Sequence, residues 1–354
     1  MINKDFGMAP LVAVTRDDRF LNHKTGHYHP ESPARLSSTY RMLDRLFGPR
    51  LLSVTPTAAA LDQLELVHTP GYIKKILKTA EQNITSLAPD TPVSSQSYLA
   101  AWLAAGACIQ GVDYLMDKKC RTFFALVRPP GHHALPDRAT GFCLLNNLAI
   151  AARYAQMHYA QQKILIIDWD IHHGNGLNDI FYDESGVFYL SSHDLMLFPY
   201  SGALTETGRG KGRGFTLNIP IPRDFTDADV SYIYQTILTP VFTRYAPTMV
   251  LIAAGFDAHR DDPLGRSTWT ENAYFLLTCL IRRLADQAGG IPLLFSLEGG
   301  YDPGANAASI QAVLNALISD EPPAVADPLP SHPDPVDELL EAVFTTHRPF
   351  GVLS

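Results

Sequence analysis

The sequence predicts an α/β domain built on one mostly parallel β-sheet with helices on both faces. Three observations lead there. Five short apolar runs are continuous rather than alternating, as strands covered on both faces should be. Stretches of helical periodicity lie between them, the alternation that produces parallel strands joined by crossover helices. Polar, ionisable clusters follow directly on the apolar runs, at the strand ends where an open parallel sheet binds its ligands.

Taken in order, Tyr98 to Met116 reads as a long helix, and TFFALV (Thr122 to Val127) as the first buried strand. Asn147 to Gln156 is helical, and KILIID (Lys163 to Asp168) and GVFYLS (Gly186 to Ser191) are strands. Asp227 to Tyr245 is the next helix, followed by the strand TMVLIAA (Thr248 to Ala254), the helix Thr270 to Ala288 and the strand PLLFSL (Pro292 to Leu297). No internal repeat interrupts the pattern. Residues 1–320 therefore read as one domain. From 321 to 354 the chain is a tail: a proline-rich stretch, EPPAVADPLPSHPDP, and one short helix, Val336 to Phe344, packing on the same domain.

Composition narrows the function. The 354 residues are 46% hydrophobic and 18% charged, an ordinary globular balance with length for a large core. The net charge is -8 and no block of Lys and Arg stands out, which argues against nucleic acid as a partner. No apolar run is expected to span a membrane, and MINKDFGMAP has no apolar leader core, so neither membrane nor secretion is expected. Cys108, Cys120, Cys143 and Cys279 are scattered and read as reduced thiols, consistent with a cytoplasmic location. The glycine-rich GRGKGRG (Gly208 to Gly214) does not join a strand to a helix as a phosphate-binding loop does, and reads as a flexible surface loop.

The chemistry gathers at the strand ends. RPPGHHA follows the first strand and carries His132 and His133; DWDIHHGN follows the second; SSHD, GFDAH and EGGY follow the others. In an extended segment residues i, i+2 and i+4 share a face. Asp168, Asp170 and His172 have that spacing, while Trp169 and Ile171 point the other way, into packing. Asp257 arrives from a neighbouring strand end. A single Asp at a loop start is ordinarily a turn residue. Several ionisable groups aimed at one sheet edge would repel or desolvate one another without a cation. Asp170, His172 and Asp257 are therefore the expected ligands of a divalent metal, with Asp168 supporting them. Mixed His/Asp ligation suits zinc, and also Fe(II), Co(II) or Mn(II). His132 and His133 read as paired proton carriers, each needing a partner at its other nitrogen, for which Asp168 and Asn175 are the candidates. Tyr301, after two glycines, is placed to present its hydroxyl to a developing oxyanion.

Six segments, HPESPARL (His29 to Leu36), RPPGHHA, GFCLLNN (Gly141 to Asn147), ILIIDWDIHHGNG (Ile164 to Gly176), AGFDAHRDDPLG (Ala254 to Gly265) and LEGGY, together resemble the histone deacetylase family of the arginase–deacetylase fold. They run in the family's order from about Gly26 to Tyr301. Trp169 and Asn175 are similar to the class II-type branch that includes bacterial histone deacetylase-like amidohydrolases. The resemblance implies zinc on Asp170, His172 and Asp257; His133 as general base and then acid, oriented by Asn175; His132 paired with Asp168; and Tyr301 polarising the amide carbonyl. It implies a substrate tunnel at Gly141, Phe142 and Phe198 with Leu264 at its rim, and Arg35 in an internal channel. It also implies a structural potassium near Asp168, Asp170, His172, Ser191 and Ser192, and a second near Phe181, Val187 and Phe215. The expected activity is metal-dependent hydrolysis of N-acetyl amides of lysine-like primary amines, free or in a peptide or protein, by a chain that could form homo-oligomers. Three other readings compete: acetylpolyamine deacetylation by the same chemistry, non-catalytic binding of acetylated ligands, and a binuclear manganese ureohydrolase, which would need a second cluster of metal carboxylates.

Overall fold

The structure is a computed structural model that describes residues 12–81, 83–319 and 329–353. The N-terminal segment read as lacking a leader, and residues 321–328 of the proline-rich stretch, lie outside the described residues. The strands are β1 (Val12–Thr15), β2 (Leu52–Val54), β3 (Ser86–Ala88), β4 (Thr91–Pro92), β5 (Thr122–Ala125), β6 (Ile164–Asp168), β7 (Val187–His193), β8 (Thr216–Pro220), β9 (Met249–Ala254) and β10 (Leu293–Leu297). The helices are α1 (Ala34–Leu46), α2 (Leu61–Leu64), α3 (Pro70–Leu77), α4 (Ser97–Met116), α5 (Asn147–Tyr159), α6 (Asn175–Phe181), α7 (Asp227–Arg244), α8 (Glu271–Gln287), α9 (Pro303–Ile318) and α10 (Pro333–His347).

Eight strands form one sheet in the order β2-β1-β5-β10-β9-β6-β7-β8, every pair parallel. The chain builds β5 and β6 apart and later fills the gap with β9 and β10. This brings the ends of four strands that are distant in sequence side by side. Helices cover both faces, with α4 paired to α5, and α1, α9, α8 and α7 packed in succession. The five expected strands and four expected long helices are all present, with ends shifted by a few residues. The short outer strands β1, β2 and β8 were not among the apolar runs. VAVT has only four residues, and TLNIP mixes an Asn and a Pro into its pattern.

All side chains of β6, β9 and β10 are buried. Each buried Ile, Leu or Phe contributes about 1.5–3 kcal/mol, so the strand tips stand on a rigid base. Helix α4 is long and apolar enough by length and composition to cross a membrane, which corrects the expectation that no such run exists. Here Ala100, Leu103, Ala104, Ala107 and Val112 are fully buried in the core that the sheet shares with α5, and that burial accounts for its apolarity. GRGKGRG exposes Arg209, Gly210, Lys211 and Arg213 but buries Gly212 and Gly214, and it is pinned rather than free: the Arg209 amide donates to the Tyr182 carbonyl at 2.8 Å and the Gly214 amide to Thr207 at 2.6 Å. The tail helix α10 docks Val336, Leu340 and Val343 into the core. Its start is tied to α7, where the His332 amide and Nδ1 each lie 2.8 Å from Asp229 carboxylate oxygens.

Candidate metal centre and active site

The loop after β6 is shaped by its own carboxylates. Asp168 Oδ1 accepts the Asp170 amide at 3.2 Å, and Asp170 Oδ1 accepts the His172 amide at 2.9 Å. Each aspartate thus turns the chain two residues on, a local bond that Asp favours at loop starts. The turn keeps Asp168, Asp170 and His172 on one side. Trp169 goes to the other, where it packs against Phe256, Tyr274 and Phe295. Asp257 comes in from the end of β9, its Oδ1 accepting the Ile171 amide at 3.0 Å.

One ligand atom each from Asp170, His172 and Asp257 lies within 4.8 Å of the others. His172 Nδ1 is 2.9 Å from Asp257 Oδ2 and 3.2 Å from Asp170 Oδ1. Gly299 closes the group from β10: its amide donates to Asp170 Oδ2 at 2.8 Å, and a Cβ there would overlap both carboxylates. Burial and then the Asp170 charge push Asp257 up to about 7. Burial opposes charge on His172, but Asp257 and Asp170 outweigh it and raise its pKa. Two buried carboxylates and an imidazole held this close, with a donor set of two oxygens and one nitrogen, fit a divalent cation such as zinc.

The tandem histidines sit on the loop after β5, their rings 3.9 Å apart. His132 Nδ1 lies 3.2 Å from Asp168 Oδ2, which also accepts the Tyr189 hydroxyl at 2.9 Å. His133 Nδ1 lies 2.8 Å from Asn175 Oδ1, at the first turn of α6. Burial opposes a charge on His132, but Asp170 and Asp168 hold its pKa up at about 10. His133 goes the other way: burial, then the charges of His132 and His172, hold it well below 6.5. The neighbours are therefore pushed in opposite directions, His132 towards its charged form and His133 towards its neutral one.

Tyr301 is held by a 2.6 Å bond from its amide to Asp262 Oδ2, with Arg35 stacked over its ring at 5.1 Å. Burial and the Asp257 and Asp170 charges keep its phenol protonated. The Arg35 guanidinium is engaged throughout, with Gly300 O, Glu31 Oε1 and Glu298 O as acceptors. A cavity of about 310 Å³ leads down to His133, His172 and Tyr301 past Leu264, Leu197, Phe142 and Phe198. Phe198 meets His133 edge-on at 5.0 Å, and Phe142 meets Tyr301 at 5.6 Å. Gly141 and Phe142 both have positive φ, 56° and 67°, a conformation that is costly for Phe and held here from outside. The Gly141 amide donates to Asp90 Oδ2 at 3.0 Å and the Phe142 amide to Thr91 Oγ1 at 3.2 Å.

At the potassium positions, Asp168 pairs in register with Ser191 across β6 and β7. The Ser191 hydroxyl meets His193 Nδ1 at 2.9 Å and that of Ser192 meets the Tyr234 hydroxyl at 2.7 Å, so both side chains are engaged. At the second position the Phe181 carbonyl accepts the Glu184 amide and the Phe215 carbonyl accepts the Tyr189 amide.

Several residues escaped the sequence reading. Glu298 heads EGGY at the tip of β10 and accepts the amides of Gly131 and His132 at 2.6 and 3.0 Å; the rule that marked the other strand tips applies to it equally. Glu31 joins Arg35, Arg128 and His23 in a buried ionic group. Asp90 reaches the cavity from the small β3–β4 hairpin, with no local signal in the sequence.

An open parallel sheet with such a cluster over its central strand tips defines a deacetylase-type hydrolase fold, and the histone deacetylase domain profile matches residues 29–317. The chain belongs to the histone deacetylase family. It is 33% identical over 336 residues to the chloroplastic histone deacetylase 10 of Oryza sativa subsp. japonica, covering 89% of this chain and 76% of that one. It is 35% identical to a histone deacetylase-like amidohydrolase of Pseudomonas aeruginosa, covering 85% of this chain and 78% of that one. The crystal structure of the HDA15 HD domain superposes with a TM-score of 0.90 at 33% identity, covering 97% of this chain and 96% of that one.

Proposed function

We propose that this chain hydrolyses N-acetyl amides of lysine-like primary amines, releasing acetate, with zinc on Asp170, His172 and Asp257. The observation that carries the reading is the apolar-walled cavity that ends on a neutral imidazole, a protonated phenol and the Asp/His/Asp group together. Two phenyl walls suit a thin aliphatic stem. A divalent cation on these residues would supply Lewis acidity to the amide carbonyl and acidify water beside it.

The chain's own groups do the rest. Asn175 Oδ1 accepts the Nδ1 proton of His133, which leaves the other ring nitrogen free to take a proton from the attacking water. The same nitrogen then returns it to the departing amine, within the 10²–10⁴-fold range typical of general acid–base catalysis. Tyr301 donates its O–H to the carbonyl oxygen as charge develops there. His132, held charged between Asp168 and Asp170, keeps a positive charge beside the reaction. Potassium near Asp168, Asp170, His172, Ser191 and Ser192 would brace the loop that carries Asp170 and His172. Four buried free thiols fit a reducing compartment such as the cytoplasm.

One observation favours an acetylated polyamine as the alternative substrate: the Asp90 carboxylate lies in the wall of the cavity and would attract a cationic chain. The test is a panel of acetyl-lysine peptides against acetylated putrescine and spermidine, using metal-loaded protein and Tyr301→Phe as control. Turnover of the peptides, lost in the control, is the expected result. Turnover of the polyamines alone would move the assignment to the second substrate. No turnover of either class would remove the enzymatic reading.

A further inference from the structure

A second group of metal-binding side chains stands beside the first and shares no residue with it. One ligand atom each from His132, Cys143 and Glu298 lies within 4.8 Å of the others. All three residues are buried, Cys143 and Glu298 completely. Glu298 Oε2 is occupied by the amides of Gly131 and His132, but Oε1 is buried with no hydrogen-bond partner among the described residues. A buried carboxylate oxygen without a partner is costly and unusual. The neighbouring guanidinium of Arg35 donates to the Glu298 carbonyl, and its charge faces Glu31. Cys143 is a free thiol. His132 has one nitrogen on Asp168, and its Nε2 lies 3.8 Å from Asp170 Oδ2.

Sulfur, imidazole nitrogen and carboxylate oxygen together make a zinc-type donor set, softer than the Asp/His/Asp group. We propose that His132, Cys143 and Glu298 form a second, thiolate-containing site for a zinc-class divalent cation, and that filling it arrests turnover. Binding breaks the S–H bond of Cys143 and the Nε2–H bond of His132: both protons leave to solvent, and the sulfur and nitrogen electron pairs form the bonds to the metal. No oxidant or reductant takes part. Because both protons must go, the site fills after the first one. A cation there takes the place of the Nε2 proton on the His132 ring, 3.9 Å from His133, and so disables the histidine pair. This arrest rests on the proposed hydrolysis; the metal binding does not.

The test is a Co(II) titration of the full-length apo-protein. The first equivalent is expected to bind without a sulfur-to-cobalt charge-transfer band in the near-ultraviolet, since Asp170, His172 and Asp257 offer no sulfur. The second should bring that band, and hydrolysis of an acetyl-lysine peptide should fall at least tenfold. Cys143→Ser should keep the first equivalent and its turnover, lack the band and resist the excess metal. Binding that stops at one equivalent with no band overturns the proposal. So does a band that persists in Cys143→Ser, since it would come from Cys108, Cys120 or Cys279. If that variant fails to fold, zinc-edge X-ray absorption on wild-type protein holding two zinc ions decides: an average of half a sulfur per zinc supports the site, and none overturns it. Two bound cations with the band but no turnover at any loading would sink the hydrolase reading and leave the second site standing.

Discussion

The chain contains the dipeptide His-His twice at the end of a central strand, and the two pairs are used differently. On the loop after β5, His132 and His133 lie side by side at 3.9 Å and both face the site. On the loop after β6, His172 turns to Asp170 and Asp257, while His173 turns away, with its Nδ1 2.8 Å from the Ser201 hydroxyl and its ring against His193. In the second segment the Asp168 and Asp170 carboxylates shape the loop so that residues two apart share a side. The first is a tight turn after two prolines, and adjacent residues stack. Residue identity alone could not separate the four histidines; backbone shape and partners do.

The largest expected effect breaks the cluster that His172 joins. Asp257→Ala should lower kcat/KM by about 10³-fold or more, since Lewis-acid stabilisation is worth several kcal/mol, and metal analysis should show the ion lost. Gly299→Ala should act in the same direction without replacing a ligand, because its Cβ would displace both carboxylates. Bound metal and turnover at wild-type levels in both variants would show that the cluster is only structural.

Next in size is the contrast between the two pairs. His133→Ala should cost about 10²–10⁴-fold in kcat with the metal retained. His173→Ala should cost stability, about 1–3 kcal/mol, for the loss of a buried ring and of its bond to the half-buried Ser201 hydroxyl, while the folded protein keeps its kcat. Equal losses of kcat would erase the distinction. Asn175→Ala should cost about 10–100-fold, as loss of an orienting partner does. Asn175→Asp sharpens the point by sign. A carboxylate beside His133 favours its charged form and raises its pKa. As His133 must be neutral to accept a proton, the acidic limb of the kcat/KM profile should move to higher pH. An unmoved limb would remove His133 as the base.

Much of this arrangement was readable beforehand. Continuous apolar runs announced the central strands because those strands are buried on both faces, and the residues after them announced the site because the sheet is parallel. Alternate spacing picked Asp168, Asp170 and His172 over Trp169 and Ile171. What could not be read were contacts made by topology. β9 and β10 return to fill the gap between β5 and β6, so nothing local ties Glu298 to His132, 166 residues apart. Asp90 likewise reaches Gly141 across 51 residues. Helix α4 shows the same limit: an apolar helix buried in a core and one that spans a bilayer share a composition, and only packing distinguishes them.

The smallest effect concerns a histidine with no partner, and it completes the comparison. His347, at the end of α10, is fully buried, and neither ring nitrogen has a hydrogen-bond partner among the described residues. Burial lowers its pKa to about 4. The unfolded chain takes up that proton near pH 6.5, whereas the folded chain waits until about pH 4. Between those values the unfolded state binds more protons, so stability falls as pH falls through the window and levels off below it. His68 and His193, also held down to about 4 by burial, add in the same direction. His347→Leu removes two unpaired nitrogens at similar volume and should stabilise the protein by about 1 kcal/mol at pH 7.5. The gain should be larger at pH 5, as read by urea unfolding at both values. A gain that does not grow at the lower pH would mean that the imidazole already has a proton partner in the fold, and the division into partnered and unpartnered histidines would need redrawing.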